Sequence, residues 1–175
     1  MKILITGASS NLGKKLTLEL LKIEPFSIRL LEYRSPVHNE NCEVFQGNLQ
    51  DVDSLSRACS GVDTVFHLAA LTHSSMRKAY FEINENGTKN LISACKKNNV
   101  RRFVFVSSTA ASEEGGEYAV SKLRCEEWVR KSDFNWIILK PSEVYGAGME
   151  EGIGKLIAWV EKFSIIPVIG DGSYF

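Results

Sequence analysis

The segment Tyr118-Ala-Val-Ser-Lys122 places a phenol and an ammonium four positions apart. Residues i and i+4 share a helix face, so the Lys122 ammonium is expected close to the Tyr118 hydroxyl. A nearby positive charge lowers the pKa of a tyrosine, which is ordinarily about 10. A phenol with a lowered pKa could take a proton from an alcohol while a hydride leaves the same carbon. On its own this spacing arises often by chance, and it also fits a helix with one core aromatic residue and one solvated lysine.

A second group of residues could bind a dinucleotide. The segment Thr6-Gly-Ala-Ser-Ser-Asn-Leu-Gly13 joins the first predicted strand to the first predicted helix, where glycines admit a pyrophosphate and the helix N-terminus offers free N–H groups. Glu32 follows Gly13 by 32 − 13 = 19 residues, which suits an acid for the adenosine ribose hydroxyls. Ser10 or Asn11 replaces the middle glycine of the fingerprint, and we expect Asn11 to adopt the left-handed turn.

The choice between NAD and NADP depends on the end of the second predicted strand. Arg34 could pair with the 2′-phosphate of NADP, whereas Glu32 would repel that phosphate. Glu32 favours NAD as the cofactor, and Arg34 keeps NADP as the alternative.

Composition and charge exclude several classes of function. The 175 residues predict a single domain, and the 21 basic and 21 acidic residues cancel, so no bulk attraction for nucleic acid is expected. No apolar run is long enough to span a membrane, and the first residues read as a strand instead of a signal peptide, so we expect a cytoplasmic protein. The cysteines lack metal-ligand spacing, which predicts no metal site and reduced, mostly buried thiols. They are Cys42, Cys59, Cys95 and Cys125.

The elements that must position these residues follow from an alternation of short apolar runs with helical patterns, which is typical of a parallel sheet covered on both faces. We predict an α/β Rossmann-type doubly wound sheet of about seven strands in the order 3-2-1-4-5-6-7. The predicted strands are Lys2–Thr6, Ser27–Glu32, Cys42–Gln46, Val62–His67, Arg102–Ser107, Phe134–Lys140 and Ile165–Ile169. The predicted helices are Leu12–Ile23, Asp51–Cys59, a region Met76–Asn98 broken near Asn84–Gly87, Gly116–Lys131 and Glu151–Phe163.

A series of short motifs resembles the short-chain dehydrogenase/reductase superfamily, most closely its extended branch of nucleotide-sugar epimerases and dehydratases. The resemblance covers residues 1–175 as one NAD(P)-binding domain, and the substrate domain of the family would follow the turn at Gly170-Asp-Gly172, so the chain is expected to lack it. In chain order the motifs are Thr6-Gly…Leu12-Gly13, Gly47-Asn-Leu49, His67-Leu-Ala-Ala70, Asn84…Gly87-Thr-Lys-Asn90, Val106-Ser-Ser-Thr109, Tyr118…Lys122 and Lys140-Pro-Ser-Glu-Val-Tyr-Gly146.

The resemblance implies a role for each matching residue. Tyr118 corresponds to the catalytic base, Lys122 to the residue that binds the ribose and lowers the phenol pKa, and Thr109 to the residue that hydrogen-bonds the reacting oxygen. His67 is interpreted as a satisfied, partly buried histidine. The residues that correspond to the cofactor-binding set are Gly7, Ser10, Asn11, Leu12, Gly13, Glu32, Arg34, Asn48, Leu49, Leu68, Ala69, Ala70, Ser107, Tyr118, Lys122, Pro141 and Val144.

The function that the resemblance implies is an NAD(P)-dependent epimerase, which acts by transient oxidation of a secondary alcohol. The expected substrate is a nucleotide sugar, and a homodimer is expected by analogy. Only 118 − 109 = 9 positions separate Thr109 from Tyr118, fewer than in typical sugar epimerases. Ala110 and Ala111 stand where dehydratases carry Asp-Glu, which disfavours sugar dehydration. A reductase or dehydrogenase of a small carbonyl compound and a non-catalytic dinucleotide sensor are the alternatives.

Overall fold

The computed structural model describes residues 1–23, 25–146 and 153–163. Within these ranges six parallel strands form one sheet in the order β3-β2-β1-β4-β5-β6, which confirms the predicted topology for those strands. The seventh predicted strand, Ile165–Ile169, lies outside the described residues. The strands are β1 Lys2–Thr6, β2 Ser27–Glu32, β3 Glu43–Gln46, β4 Thr64–His67, β5 Arg102–Val106 and β6 Asn135–Leu139. The helices are α1 Asn11–Lys22, α2 Val52–Ala58, α3 Arg77–Tyr80, α4 Asn86–Lys97, α5 Glu117–Arg130 and α6 Ile153–Lys162.

The chain divides into two units, Met1–Ser142 and Glu143–Phe175. The first unit contains the sheet and helices α1 to α5, and the second contains α6. None of the helices that the structure describes combines the length and apolar character needed to cross a membrane.

Two apolar cores cover the two faces of the sheet, because successive residues of a strand point to opposite faces. Leu4 of β1 belongs to the core beneath α2, α4 and α5, whereas its neighbours Ile3 and Ile5 belong to the core beneath α1. Burial on both faces explains why the strands read as nearly continuous apolar runs. The cysteines are free thiols, as predicted: Cys59, Cys95 and Cys125 are buried and Cys42 is half-buried.

The long helical region after β4 is interrupted by a π-helical turn at Phe81–Glu85, between α3 and α4. The helical region is therefore irregular, as predicted, but the irregular turn begins at Phe81, about one turn before the predicted position at Asn84–Gly87. Gly87 lies inside regular α4, where a Cβ atom would stand 2.9 Å from the Cβ atom of Leu49. A glycine is needed at position 87 because α4 packs closely on Leu49, and not because the helix breaks there.

The buried carboxylate of Glu126 joins α5 to the ends of β5 and β6. Its Oε1 atom accepts a hydrogen bond of 2.6 Å from the Ser107 hydroxyl and lies 3.0 Å from the Lys140 ammonium. Its Oε2 atom lies 2.9 Å from the Arg130 guanidinium. Burial raises the pKa of Glu126, but the bonds from Ser107, Lys140 and Arg130 outweigh burial and hold that pKa below its ordinary value.

Replacement of Glu126 by Gln is expected to lower the free energy of unfolding by about 2 kcal/mol at neutral pH, because charge-assisted hydrogen bonds are lost. The folded-state pKa lies below the unfolded value, so this stabilisation is present at neutral pH and disappears as the pH falls through the glutamate range. Urea unfolding at several pH values measures both effects.

Glu127→Gln is the matched control on the same helix, because the Glu127 carboxylate lies at the surface, 4.0 Å from the Lys131 ammonium in an exposed pair. Its effect is expected to stay within about 0.5 kcal/mol. Equal losses in the two variants would contradict the role assigned to Glu126.

Candidate functional site

The glycine-rich loop after β1 packs directly against the loop after β4. Gly7 has a φ of +70°, and a Cβ atom at this position would lie 2.6 Å from the backbone nitrogen of Ala69. A side chain is excluded there by both conformation and space. At Gly7 the two loops therefore meet backbone to backbone, at the point where the strand order reverses.

Helix α1 begins immediately beyond this loop. Ser10 caps it, since its Oγ atom accepts a 3.0 Å hydrogen bond from the Gly13 N–H and donates one of 2.7 Å to the Gly7 carbonyl. A Cβ atom on Gly13 would stand 2.4 Å from the Gly7 carbonyl oxygen, so this glycine allows the helix to approach the loop. The prediction that Asn11 adopts a left-handed turn is wrong: Asn11 is the first helical residue, and the left-handed residue of the loop is Gly7. Leu12 is exposed on α1.

A cleft of about 520 Å³ opens at the carboxyl ends of β1, β2, β3 and β4. A helix N-terminus and close-packed glycines at this edge fit the pyrophosphate of a dinucleotide. The residues that line the cleft are Gly7, Ser9, Ser10, Leu31, Tyr33, Arg34, Ser35, Gly47, Asn48, Leu49, Gln50, Leu68, Ala69, Ala70, Leu71 and Ile83. Eight of the predicted cofactor-binding residues are among them, namely Gly7, Ser10, Arg34, Asn48, Leu49, Leu68, Ala69 and Ala70.

The carboxylate of Glu32, which was predicted to bind the adenosine ribose, accepts hydrogen bonds from other residues of the protein. One carboxylate oxygen accepts a hydrogen bond from the Val37 N–H and the other accepts one from the Gln46 side-chain amide. Arg34 lines the cleft instead, with its guanidinium 5.0 Å from the centre of the Tyr33 ring.

Helix α4 holds the wall of the cleft that follows β3. The side-chain amide of Asn90 donates a 3.0 Å hydrogen bond to the carbonyl of Leu49, and Gly87 allows the Leu49 side chain to pack on the helix. The Asn48 side chain accepts a bond from the Gln50 N–H and shapes the same turn. These contacts fix Asn48 and Leu49, two residues of the predicted cofactor-binding set.

A chain of buried hydrogen bonds runs from the cleft to α5 through His67. The Thr6 hydroxyl accepts a bond from the Ala69 N–H and lies 2.7 Å from His67 Nδ1, while His67 Nε2 lies 2.9 Å from the Thr88 hydroxyl. The Thr88 hydroxyl donates a hydrogen bond to Cys125 Sγ, so it accepts the hydrogen bond that it makes with His67 Nε2. The ring proton of His67 is therefore on Nε2. Burial, and to a lesser extent the Lys122 charge, lowers the pKa of His67 to about 3. His67 is hydrogen-bonded at both ring nitrogens, as predicted, but it is fully buried where partial burial was expected.

Asn84 links the cleft to the same helix. Its side chain makes two bonds with the backbone of Leu71, at 2.7 and 3.0 Å, and donates a third of 3.1 Å to the Ser121 hydroxyl. Ser121 in turn donates to the carbonyl of Tyr118. Asn84 lies in the π-helical turn, where irregular backbone often serves a site. The sequence motif identified Asn84 but gave no role to it.

The Tyr118 phenol is half-buried, and its environment differs from the prediction. Burial raises the pKa of Tyr118, a hydrogen bond from Ser108 lowers it, and Cys125 and Tyr80 raise it further, with a net upward shift. The predicted lowering of this pKa by Lys122 is therefore wrong, because desolvation of the phenolate outweighs the favourable contacts. The Tyr80 ring lies edge-on to the Tyr118 ring, with 6.2 Å between their centres.

The Lys122 ammonium is buried beneath the end of β5. It donates a 2.6 Å hydrogen bond to the Val106 carbonyl and lies 4.3 Å from the centre of the Phe105 ring. Burial lowers the pKa of Lys122 to about 8, against the opposing effect of Cys125 and Glu126. The other two N–H donors of the ammonium have no acceptor within the described ranges.

Three consecutive hydroxyl residues follow β5 and have different surroundings. Ser107 is buried and donates to Glu126, and Ser108 interacts with the Tyr118 phenol. Thr109 has an exposed side chain, and its N–H bonds to the Pro141 carbonyl at 3.0 Å. Ser108 was missed by the sequence analysis, although its position in the same Ser-Ser-Thr run offered a signal. Val144 belongs to the second unit, and its role in cofactor binding stays a prediction.

The buried neutral His67 should make stability pH-dependent. Its folded pKa lies below the unfolded value, so between them the unfolded chain binds more protons and acidification favours unfolding. Stability of the wild type should fall below about pH 6.5, by up to about 1.4 kcal/mol per pH unit from this group. His67→Gln should flatten that slope in urea unfolding, and His73→Gln, which alters an exposed histidine, should keep it. Identical slopes in His67→Gln and the wild type would contradict the assignment.

Comparison with known proteins agrees with this geometry. A family described as NAD(P)H-binding matches residues 7–155. A ceramide reductase of Caulobacter vibrioides is 31% identical over 98% of this chain and 55% of its own length. An N-acetyl-alpha-D-glucosaminyl-diphospho-ditrans,octacis-undecaprenol 4-epimerase of Escherichia coli O157:H7 is 30% identical over 99% of this chain and 57% of its own length. The chain thus spans about half the length of the curated relatives it matches.

A crystal structure of a short-chain dehydrogenase/reductase superfamily protein from Agrobacterium tumefaciens with bound NAD is also similar. Its TM-score is 0.70, its identity is 29%, and the match covers 80% of this chain and 48% of that one. The resemblance predicted from the motifs is confirmed. The chain belongs to the NAD(P)H-binding family, within the short-chain dehydrogenase/reductase superfamily of NAD(P)-dependent enzymes.

Proposed function

We propose that this chain provides the cofactor-binding and proton-transfer half of an NAD(P)-dependent enzyme that interconverts a secondary alcohol and a ketone. The observation that carries the proposal is the half-buried Tyr118 phenol on α5, with the buried Lys122 ammonium one helical turn away and with Ser108 close enough to lower its pKa. Two hydroxyl groups that converge in this way can both hydrogen-bond one substrate oxygen.

The residues of the chain supply the proton and the binding contacts. A bound nicotinamide would supply or accept the hydride. Tyr118 gives a proton to the substrate oxygen during reduction and takes it back during oxidation, while Ser108 donates a hydrogen bond to that oxygen as its charge changes. The two remaining N–H donors of Lys122 suit the ribose hydroxyls of the cofactor.

The finer proposal is an epimerase that acts on a nucleotide sugar. The 4-epimerase of Escherichia coli O157:H7, whose name describes a sugar linked to undecaprenol through a diphosphate, supports the epimerase reaction. An uncharacterized UDP-glucose epimerase of Bacillus subtilis, 29% identical over 99% of this chain, supports a nucleotide sugar as the substrate. Such a reaction uses Tyr118 in both directions, first as base and then as acid, and leaves the cofactor unchanged after each turnover.

A carbonyl reductase is the second candidate, and two observations favour it. The raised pKa of Tyr118 keeps the phenol protonated at neutral pH, which suits a group that donates a proton to a carbonyl oxygen. The ceramide reductase of Caulobacter vibrioides aligns over 98% of the chain. Absorbance of the reduced nicotinamide distinguishes the candidates, since only a reductase consumes it.

Tyr118→Phe in the full-length protein is expected to lower kcat at least about 100-fold, because the proton-transfer group is lost. Cofactor binding, followed by thermal shift with NAD and NADP, should change little. A variant that keeps its turnover would reject Tyr118 as the acid–base residue.

Ser108→Ala and Thr109→Val distinguish the two residues that could bind the reacting oxygen. The structure favours Ser108, so its replacement should lower kcat by about 100-fold, the cost of removing one positioned donor. Thr109→Val should cost less. If Thr109→Val lowered kcat more than Ser108→Ala does, Thr109 would be the residue that hydrogen-bonds the reacting oxygen, as the sequence motif predicted.

A further inference from the structure

Tyr80, the last residue of α3, contacts two parts of the site at once. Its hydroxyl accepts a 2.8 Å hydrogen bond from the Ser74 N–H, in the loop 71–74 that begins at the cleft residue Leu71. Its ring lies edge-on to the Tyr118 ring, with 6.2 Å between the two centres. One side chain therefore joins the loop at the edge of the cleft to the phenol that is proposed to transfer a proton.

Asn84 makes a parallel connection in the π-helical turn that follows α3. It bonds to the backbone of Leu71 and donates to the Ser121 hydroxyl on α5. Tyr80 and Asn84 are four positions apart on one helical segment, and their partners Tyr118 and Ser121 are three positions apart on α5. Both ends of the loop are thus attached to a segment that is itself packed on α5.

The Tyr80 side chain is restrained at both ends, which suits it to hold a neighbour in place. The loop holds its hydroxyl, and α3 is joined to the first turn of α5 by an exposed ion pair of 3.1 Å between Arg77 and Glu117. An edge-on aromatic pair favours one relative orientation of its rings, so the contact limits the orientations open to the Tyr118 phenol.

Polar groups near the Tyr118 phenol come from α3, from α5 and from the segment after β5. They are Tyr80, Cys125, Lys122, Glu117 and Ser108. The Lys122 ammonium donates to the Val106 carbonyl, and Glu117 pairs with Arg77. Desolvation is the largest cause of the raised pKa of Tyr118. Removal of the Tyr80 ring should therefore hydrate the phenol and lower that pKa.

We propose that Tyr80 is a positioning residue, which holds the Tyr118 phenol through its ring and the loop 71–74 through its hydroxyl. The inference rests on the proposed role of Tyr118 in proton transfer. Tyr80 needs no contact with substrate or cofactor to act in this way, because it works through its two neighbours.

The first test follows the titration of the Tyr118 phenol by NMR, in full-length protein labelled at the Cζ carbon of tyrosine and without substrate. Tyr118→Phe identifies the resonance. Tyr80→Leu should lower the midpoint of the Tyr118 titration by at least about half a pH unit, because water then reaches the phenolate. Tyr80→Phe keeps the ring and should lower the midpoint less.

Hydrogen exchange of the Ser74 amide tests the second contact. Tyr80→Phe removes the acceptor of this N–H, so the amide should exchange at least about tenfold faster than in the wild type. Arg77→Ala is the matched control on the same helix, because it breaks the exposed ion pair between α3 and α5 and should leave titration and exchange unchanged. Thermal unfolding checks that each variant is folded.

A wild-type midpoint in Tyr80→Leu, or a wild-type exchange rate of the Ser74 amide in Tyr80→Phe, would overturn the proposal. Equal effects in Arg77→Ala would also overturn it, because loosening of α3 would then explain them.

Neither measurement needs turnover, so the outcome is separate from that of the proposed function. If the effects of the Tyr80 variants are missing while the reaction depends on Tyr118, only the role of Tyr80 is rejected. If they are present while the reaction is insensitive to Tyr118→Phe, only the proposed chemistry is rejected.

Discussion

The backbone contact between Gly7 and Ala69 is the constraint on which the rest of the site depends. It joins the ends of β1 and β4, the neighbouring strands between which the order of the sheet reverses. Any side chain at Gly7 would push these two loops apart, and the Thr6 hydroxyl strengthens the contact by accepting the Ala69 N–H. The cleft, the position of α1 and the path of the loop Leu68-Ala69-Ala70 all follow from this arrangement.

Buried polar contacts extend that rigidity to α5, which carries the proposed acid–base residue. Asn84 bonds to Leu71 on the cleft side and to Ser121 on the helix side. His67 makes a parallel connection through Thr6 and Thr88. Satisfied polar groups inside a protein have strict geometric requirements, so they specify one relative position of cleft and helix more narrowly than apolar packing does.

Desolvation dominates the electrostatics of the site. Burial lowers the pKa of Lys122 to about 8 and raises that of Tyr118, so each group shifts toward its neutral form. The Ser108 hydrogen bond partly opposes the shift of the phenol. A phenol that remains protonated is well suited to proton donation, and a ligand that excludes water or adds charge would change both pKa values again.

The sequence by itself determined the elements and their order, because strand and helix periods, glycines and caps are local properties. The parallel sheet, the loop from Thr6 to Gly13 and the helix with Tyr118 and Lys122 were all predicted from residue types and spacing. His67 was predicted to be satisfied but only partly buried, and the structure buries it fully. Local preference also misled: Asn11 tolerates a left-handed turn, but the loop uses Gly7 for it and begins α1 at Asn11.

Only the tertiary structure decided which atoms meet. The carboxylate of Glu32 faces Gln46 because β2 and β3 are paired in register at these two residues, which spacing along the chain does not reveal. Ser108 and not Thr109 interacts with Tyr118, and burial reversed the expected shift of the phenol pKa. Contacts between elements and the desolvation of a group depend on packing across the whole fold, and these are the terms that a linear pattern does not contain.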